Sequence, residues 1–479
     1  MFSSKIYKLK FTVPFFIVAL CSFLILSCGR KNKEEPEPVT NPELNQLIKI
    51  HESGVLRAVV DYNSTNYFVY RGRPMGFKYE LLRELSDELG VRLEISVIND
   101  PVESFDGLKE GRYDVVARNF AVTLERRKEV DFTAPIMHTN QVLVQREVGF
   151  GTPDSLYIYS VLELADKKVH VQKNSSFHKR LQHLSEEIGE KIQIVEDSVL
   201  GTEQLIAQVA NGEINYAVCD QNVGFLNKTY YPNIDVSLDI SFPQNIAWAI
   251  PKGDDVWRAY LNDWITDFKQ TKTYAVLYDR YFESPRIVNR MTSGWHSITG
   301  GKISNYDQII KQLAEENNWD WRLIAAIIYQ ESTFNPEIES WAGAYGLMQI
   351  MPETATTLGI EDYKDPAQNI MAGVRMLSWL DEQISESVPD STQRVKFVLA
   401  AYNVGLGHVK DAQRLAEKYG KSSEVWDNNV DYFLKNKSAE KYFKDPVVKW
   451  GYCRGDEPYN YVHKVTANYM HYLNVISES

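Results

Sequence analysis

Residues 329–352 read YQESTFNPEIESWAGAYGLMQIMP. This stretch closes a helix and opens a loop. Upstream of it, Asp320 is a good N-cap for the run WRLIAAIIYQES, whose apolar residues recur at helical spacing. Ile324 and Ile327 stand seven and four residues before Glu331 and so share its helix face. Glu331 therefore extends a buried stripe. Burial disfavours the charged carboxylate, and the negative end of the helix dipole acts in the same direction. Both keep the group protonated near neutral pH, as a general acid requires. On spacing alone, a Glu at a helix C-terminus can equally turn outward to water.

Working outward from this helix, Ser304 or Asn305 can cap a preceding one through Ile309, Ile310 and Leu313. Beyond Pro352, helical patterns are split by Gly and Pro, and strand-like alternation is absent. Residues 304–475 thus read as a mainly α domain. The Gly- and Ser-rich run MTSGWHSITGGKISNYDQ marks the boundary before it, with a linker over 286–303.

Residues 51–285 have a different texture. VLRAVVDY (55–62) and VRLEISVI (91–98) read as strands around an amphipathic helix, FKYELLRELSDELG (77–90), with Leu81, Leu82, Leu85 and Leu89 on one face. A second αβ set starts at KKVHVQ (167–172) and reaches YAVCD (216–220). Such alternation predicts mainly parallel sheets carrying helices, arranged as two lobes with a ligand cleft between them.

GVLRAVVDY, RGRPMGFKYELLREL, GRYDVVARNFAVTLERRKEVDFTAPI and GEINYAVCD, in this order, resemble the extracellular solute-binding proteins that take amino acids. The resemblance implies a bilobal α/β, periplasmic-binding-protein-like fold. It implies that Thr123 and Arg126 contact a ligand carboxylate, that Asp220 holds an amine, and that Tyr67, Phe68 and Tyr70 form aromatic walls. A planar guanidinium suits a carboxylate because it binds both oxygens at once. From the residues alone, Arg126 is equally a solvated member of the charged run 125–129, and Asp220 equally a turn residue. Glu80 stands where the family often has Asp, and Arg118-Asn119-Phe120 replaces small residues. The ligand is therefore left open among a free amino acid, a modified one and a peptide fragment.

In the α region, E-S-x-F-x-P (331–336), then S-x-x-G-A-x-G-L-M-Q-I-M-P (340–352) and A-Y-N-x-G (401–405) resemble the lytic transglycosylases. That resemblance implies a lysozyme-like fold and a peptidoglycan substrate. Glu331 would protonate the MurNAc–GlcNAc oxygen and then act as base, with no second carboxylate, leaving a 1,6-anhydro-muramoyl end. Ser340 and Asn403 would hydrogen-bond the sugar, Met348 and Gln349 would line the groove, and Tyr402 and Tyr461 would face the glycan. Gly343 and Gly346 are read as turn formers, Met348 alternatively as core, and Glu457 as a structural partner. A lysozyme-type hydrolase using the same Glu331 and a non-catalytic lipoprotein that binds cell-wall fragments remain open alternatives.

The N-terminus has a positive segment (Lys5, Lys8, Lys10), an apolar run from Phe11 to Leu26, and then Ser27-Cys28. This resembles a lipoprotein signal over 1–27, with Cys28 lipidated, and implies attachment in the cell envelope. Gly29 favours the outer membrane. Residues 28–50 are expected to form a flexible tether. The 479-residue chain carries a net charge of −12, which becomes −15 once the three lysines of residues 1–27 are removed. An acidic chain of this kind excludes nucleic-acid binding. Cys219 and Cys453 are too isolated for a metal-like spacing and are expected to be buried and unpaired. No cofactor is expected. A muropeptide or amino acid is the expected effector of the first domain.

Overall fold

The computed structural model describes residues 45–149, 153–283, 294, 297, 298 and 301–476. The signal segment and Cys28 lie outside them, as does most of the predicted linker. Two regions emerge, one bilobal α/β and one helical, packed together as one compact body.

The first lobe contains β1 (Val55–Val60), a ribbon of β2 (Phe68–Tyr70) and β3 (Arg73–Met75), then β4 (Arg92–Val97), β5 (Val115–Ala121), β6 (Asp131–Phe132) and β7 (Met137–Thr139). The second lobe contains β8 (Gln141–Arg146), β9 (Lys168–Gln172), β10 (Gln193–Asp197), β11 (Tyr216–Asp220) and β12 (Ile234–Asp235). β13 (Gln244–Ile250) then returns to the first sheet. The sheet orders are β4-β1-β5-β13-β6, with β7 also on β13, and β10-β9-β11-β8-β12. In each sheet the three strands that alternate with helices pair in parallel: β1 with β4 and β5, and β9 with β10 and β11. The returning strands pair antiparallel. The chain thus crosses between lobes twice, at β7–β8 and again before β13.

The predicted helix over 77–90 forms at Phe77–Leu89, with Leu81, Leu82, Leu85 and Leu89 buried and Gly90 as its left-handed stop (φ 67°). The predicted tether ends earlier than expected. Residues 46–53 are a helix, capped by the Asn45 side chain on the Ile48 N–H. Ile50 is fully buried in the first-lobe core, and the Gln46 amide donates to Asp114 at 2.5 Å. Within these eight residues Leu47 and Ile50 alone supply an apolar face to that core, too short a pattern to stand out beside the polar segment before it.

In the helical region, Trp321–Ser332 forms as read, with Asp320 accepting from the Arg322 N–H. The preceding helix, Asp307–Glu316, is begun differently: the Asp307 carboxylate reaches back to the N–H groups of Ile303 and Ser304. A 20-residue helix, Asp456–Val475, closes the chain and packs along Trp321–Ser332. Its far end meets the first lobe. His471 pairs with the Tyr67 hydroxyl at 2.7 Å, Tyr472 donates to Gly72 O at 2.7 Å, and Asn474 donates to Ile95 O at 3.0 Å. Of the predicted linker, Ser297 pairs with Val69 through both its N–H and its hydroxyl. Cys219 and Cys453 are buried and free, as expected.

If residues 46–53 belong to the fold, Ile50→Ala should cost about 2–4 kcal/mol, the usual range for emptying a buried aliphatic site. Urea unfolding measures this, and an unchanged midpoint would return these residues to the tether.

Candidate active site and interlobe cleft

Glu331 is the penultimate residue of Trp321–Ser332, on a helix whose Ile324 and Ile327 are fully buried. Its partly buried carboxyl accepts a hydrogen bond from the Tyr461 hydroxyl at 2.6 Å. Burial pushes the Glu331 pKa up to about 7, and the Tyr461 hydrogen bond holds it back. Desolvation therefore outweighs the donor. Among the described residues, no second carboxylate ranks among the influences on Glu331. The hydroxyls of Tyr402 and Tyr461 are driven well above the ordinary range, first by burial and then by the Glu331 charge. Both phenols therefore stay protonated as donors. Tyr402 spends its proton on Met348 O at 2.7 Å.

The loop after the helix is fixed by its own polar groups. Thr333 and Phe334 take left-handed backbone (φ 50° and 61°), which turns the chain sharply off the helix. The Ser332 hydroxyl bonds Ile328 O and Leu347 O. Ser340 Oγ accepts from the Ala344 N–H at 3.0 Å, and Gln349 Nε2 donates to Ile338 O and Gly346 O. Asn403 follows Tyr402 and is partly exposed, and its amide has no hydrogen bond among the described residues.

Met348 departs from expectation. Its side chain is fully buried against Gly373, where a Cβ would come within 2.2 Å of its sulfur. It fills the core and cannot line a groove. Only its backbone takes part, by receiving Tyr402 and donating to Asn369 Oδ1. Asn369 itself was missed. It is buried, and its amide also donates to Tyr345 O and Tyr363 O, which locks the loop to helix Pro366–Ser385. The available signal was an amide in the first turn of that helix, directly before the apolar Ile370. Glu457 is exposed in the first turn of the last helix, four residues before Tyr461.

In the first region, Arg126 and Asp220 both line a cleft of about 80 Å³ between the lobes, with Asp61, Asn63, Arg118, Asn119, Phe120 and Phe177 among their neighbours. Thr123 is not among the lining side chains: its hydroxyl accepts the Arg126 N–H at 3.3 Å and so orients the turn. Burial raises the Asp220 pKa to about 7, with Asp61 adding to the effect. Burial lowers that of Arg126 to about 10, with Arg118 adding to it. The expected aromatic walls are misassigned: Tyr67 and Phe68 are fully buried in the first-lobe core, and Phe120 and Phe177 line the cleft instead. Tyr67 and Phe68 are drawn into that core by His471 and Tyr281, and Tyr70 packs at its edge. Between the lobes, Ser64 bonds Glu203, and Lys179 pairs with Glu125.

A carboxyl whose folded pKa lies above its unfolded value loses stability as pH rises from about 4.5 through about 7. At 1.36 kcal/mol per unit, the ionised Glu331 costs up to roughly 3 kcal/mol above that window. Glu331→Gln should therefore unfold at a higher temperature than the native chain at pH 8, and the difference should vanish near pH 4. Melting curves at both values check this; equal melting points at pH 8 would mean a solvated Glu331.

Two family models match. One, described as transglycosylase SLT domain, covers residues 308–425 and therefore stops short of Tyr461. The other, described as bacterial extracellular solute-binding proteins, family 3, covers residues 56–284. A membrane-bound lytic murein transglycosylase F from Desulfosudis oleivorans is 32% identical over 430 residues, which is 89% of this chain and 91% of the relative. Another from Pseudomonas fluorescens (strain Pf0-1) is 30% identical over 436 residues, covering 90% and 87%. Among solved structures, the ancestral amino acid-binding protein AncCDT-1 aligns at 25% identity with 50% of this chain and 100% of its own, at a TM-score of 0.43. Matched along nearly its whole length, the chain belongs to the membrane-bound lytic murein transglycosylase F family: it is a peptidoglycan lytic transglycosylase with a periplasmic-binding-protein-like region before its helical, lysozyme-like one.

Proposed function

We propose that Glu331 alone serves as acid and base in cleaving the β-1,4 bond between MurNAc and GlcNAc. The supporting observation is a carboxyl raised to about 7, held by one neutral donor, with no second carboxylate among its influences. The protonated Glu331 gives its proton to the glycosidic oxygen as the bond to the MurNAc anomeric carbon breaks. The substrate's N-acetyl carbonyl stabilises the positive charge on that carbon. The ionised Glu331 then removes the proton of the muramoyl C6 hydroxyl as its oxygen attacks the same carbon, which closes a 1,6-anhydro ring. A paired-carboxylate glycosidase would need a second acid about 5–9.5 Å away. Asn403, with its uncommitted amide, and the loop residues Ser340 and Gln349 are the groups we assign to holding the glycan. Tyr461 positions Glu331, and Tyr402 braces the loop.

Glu331→Gln should lower release of soluble product from sacculi by a hundredfold or more, the usual loss when a general acid is removed. Mass spectrometry of the native enzyme's products decides the chemistry. Anhydro-muropeptides are expected. Reducing ends would make the enzyme a hydrolase, and unchanged release by the variant would make the chain a binding lipoprotein.

We assign the site of action to the envelope through lipidation at Cys28, with the protein anchored in the outer membrane and facing the periplasm. Among the described residues, no helix is long and apolar enough to cross a membrane.

The first region we read as a sensor of an amino-acid-like ligand or cell-wall fragment, held by Arg126 and Asp220, that gates the glycan site. Support comes from the turn between β2 and β3. The cleft-lining residues Asp61 and Asn63 lead into it. At its tip Arg71 and Gly72 adopt left-handed backbone (φ 50° and 74°). A Cβ on Gly72 would lie 2.6 Å from the Phe334 ring and 2.9 Å from Tyr329, two residues before Glu331. Sacculus turnover should change fivefold or more with a bound amino acid or muropeptide, a usual coupling range, and Gly72→Ala should abolish the change. A rate unaffected by every ligand that binds would overturn the sensing role.

A further inference from the structure

The cleft contains cations that, among the described residues, no carboxylate meets in an ion pair, although Asp61, Asp100 and Asp220 act on them from a distance. Arg118 projects from β5, is only 6% exposed and lines the cavity. Its Nη atoms donate to two neutral acceptors, Ser104 Oγ at 3.3 Å and Asn99 O at 2.9 Å. Its Nε is buried without a partner. Arg126 lies against the same Phe120 ring, 4.8 Å from the centroid, while Arg118 lies at 5.0 Å. Two guanidiniums thus share one aromatic ring, and among the described residues neither forms an ion pair. Among the described residues, the Arg126 side chain has only Ala121 O, at 3.0 Å, as a hydrogen-bond partner.

A third cation lies nearby. Lys78 is fully buried, and its ammonium has no hydrogen-bond partner among the described residues. The opposite charges that act on it are Asp61 and Asp220, both cleft-lining. Asp61 is occupied by the amides of Asn63 and Asn66 at 2.8 and 2.9 Å. A buried guanidinium with an unmet donor is costly unless something charged completes it. An amino acid with a single carboxylate satisfies one guanidinium and leaves the other bare.

We infer that the cleft selects a compact amino acid carrying a second carboxylate: Arg126 takes the α-carboxylate, Asp220 the ammonium, and Arg118, backed by Lys78, the additional carboxylate. This rests on the reading that the cleft takes an amino-acid-like ligand, and it names the class. Arg118, which carries the selectivity, is one of the residues that replace the small side chains expected before Thr123.

Isothermal titration of the purified full chain with alanine, lysine, aspartate and glutamate tests it. Aspartate or glutamate should bind about tenfold or more tightly than alanine, the yield of one added charge-assisted hydrogen bond. Arg118→Ala should bring the acidic ligand to alanine's level while leaving alanine unchanged. Lys78→Met should weaken the acidic ligand alone, and it decides the matter if Arg118→Ala shows no cooperative melting transition. Alanine or lysine binding as tightly as the acidic ligands would overturn the class and leave the amino-acid reading standing, as would an undiminished preference in folded Arg118→Ala. Failure of all four to bind would overturn both.

Discussion

The catalytic region depends on withdrawing one carboxyl group from water without offering it a cation. A Lys or Arg beside Glu331 would stabilise the carboxylate and strip the group of its proton at working pH. The chain supplies a phenol instead. Tyr461 donates a single neutral hydrogen bond at 2.6 Å, enough to orient the carboxyl and too weak to reverse the effect of burial. The apolar helix beneath serves the same end, because Ile324, Ile327 and Ile328 leave no room for hydration on that side. Tyr461 in turn is held by the last helix of the chain, so the acid's environment is built from residues 130 positions apart.

A carboxyl of this kind is useful only if the substrate meets it in a fixed place, and the loop after the helix supplies that rigidity. Asn369 saturates its amide on three backbone groups of the loop and its neighbours. Gly346 must lack a side chain, because a Cβ there would lie 2.7 Å from that same amide, and its φ of 81° suits glycine alone. Ser332 and Gln349 tie the remaining turns. Most of the motif between residues 331 and 352 is thus concerned with loop shape, and few of its side chains are left free to touch a sugar.

That division explains what was legible in the sequence. Helix Trp321–Ser332, its Asp320 cap and the buried face leading to Glu331 follow from period and capping chemistry, which act locally. The alternation of strands and helices in the first region was readable for the same reason, as was the stop at Gly90. Met348 was misplaced because a motif residue beside a catalytic loop and a core residue look alike until Gly373 is brought against it. Tyr67 and Phe68 were misplaced because their partners, His471 and Tyr281, lie some 400 and 200 residues away. Asn369 was missed because its partners, Tyr345, Met348 and Tyr363, lie 6 to 24 residues back, in the loop rather than in its own helix. Sequence pattern reports what a residue's own helix or strand needs, and it is silent where the demand comes from another element.

The last helix also separates two functions that one contact might have confused. Tyr461 touches the acid, and His471, ten residues on and about 15 Å along the helix axis, touches Tyr67 of the first lobe. A histidine at such a junction would ordinarily make it pH-sensitive. Here burial lowers the His471 pKa to about 4, whereas Glu331 titrates near 7. Over the range in which the acid gains and loses its proton, the imidazole stays neutral and its bond to Tyr67 keeps the same character. A change in activity across neutral pH therefore does not report on this junction; it belongs to Glu331 or to Asp220 in the cleft, both of which burial raises to about 7. The junction between the regions answers to packing at Gly72, Tyr67 and Tyr472, where a shift of the first lobe would be felt by the catalytic helix without any change of charge.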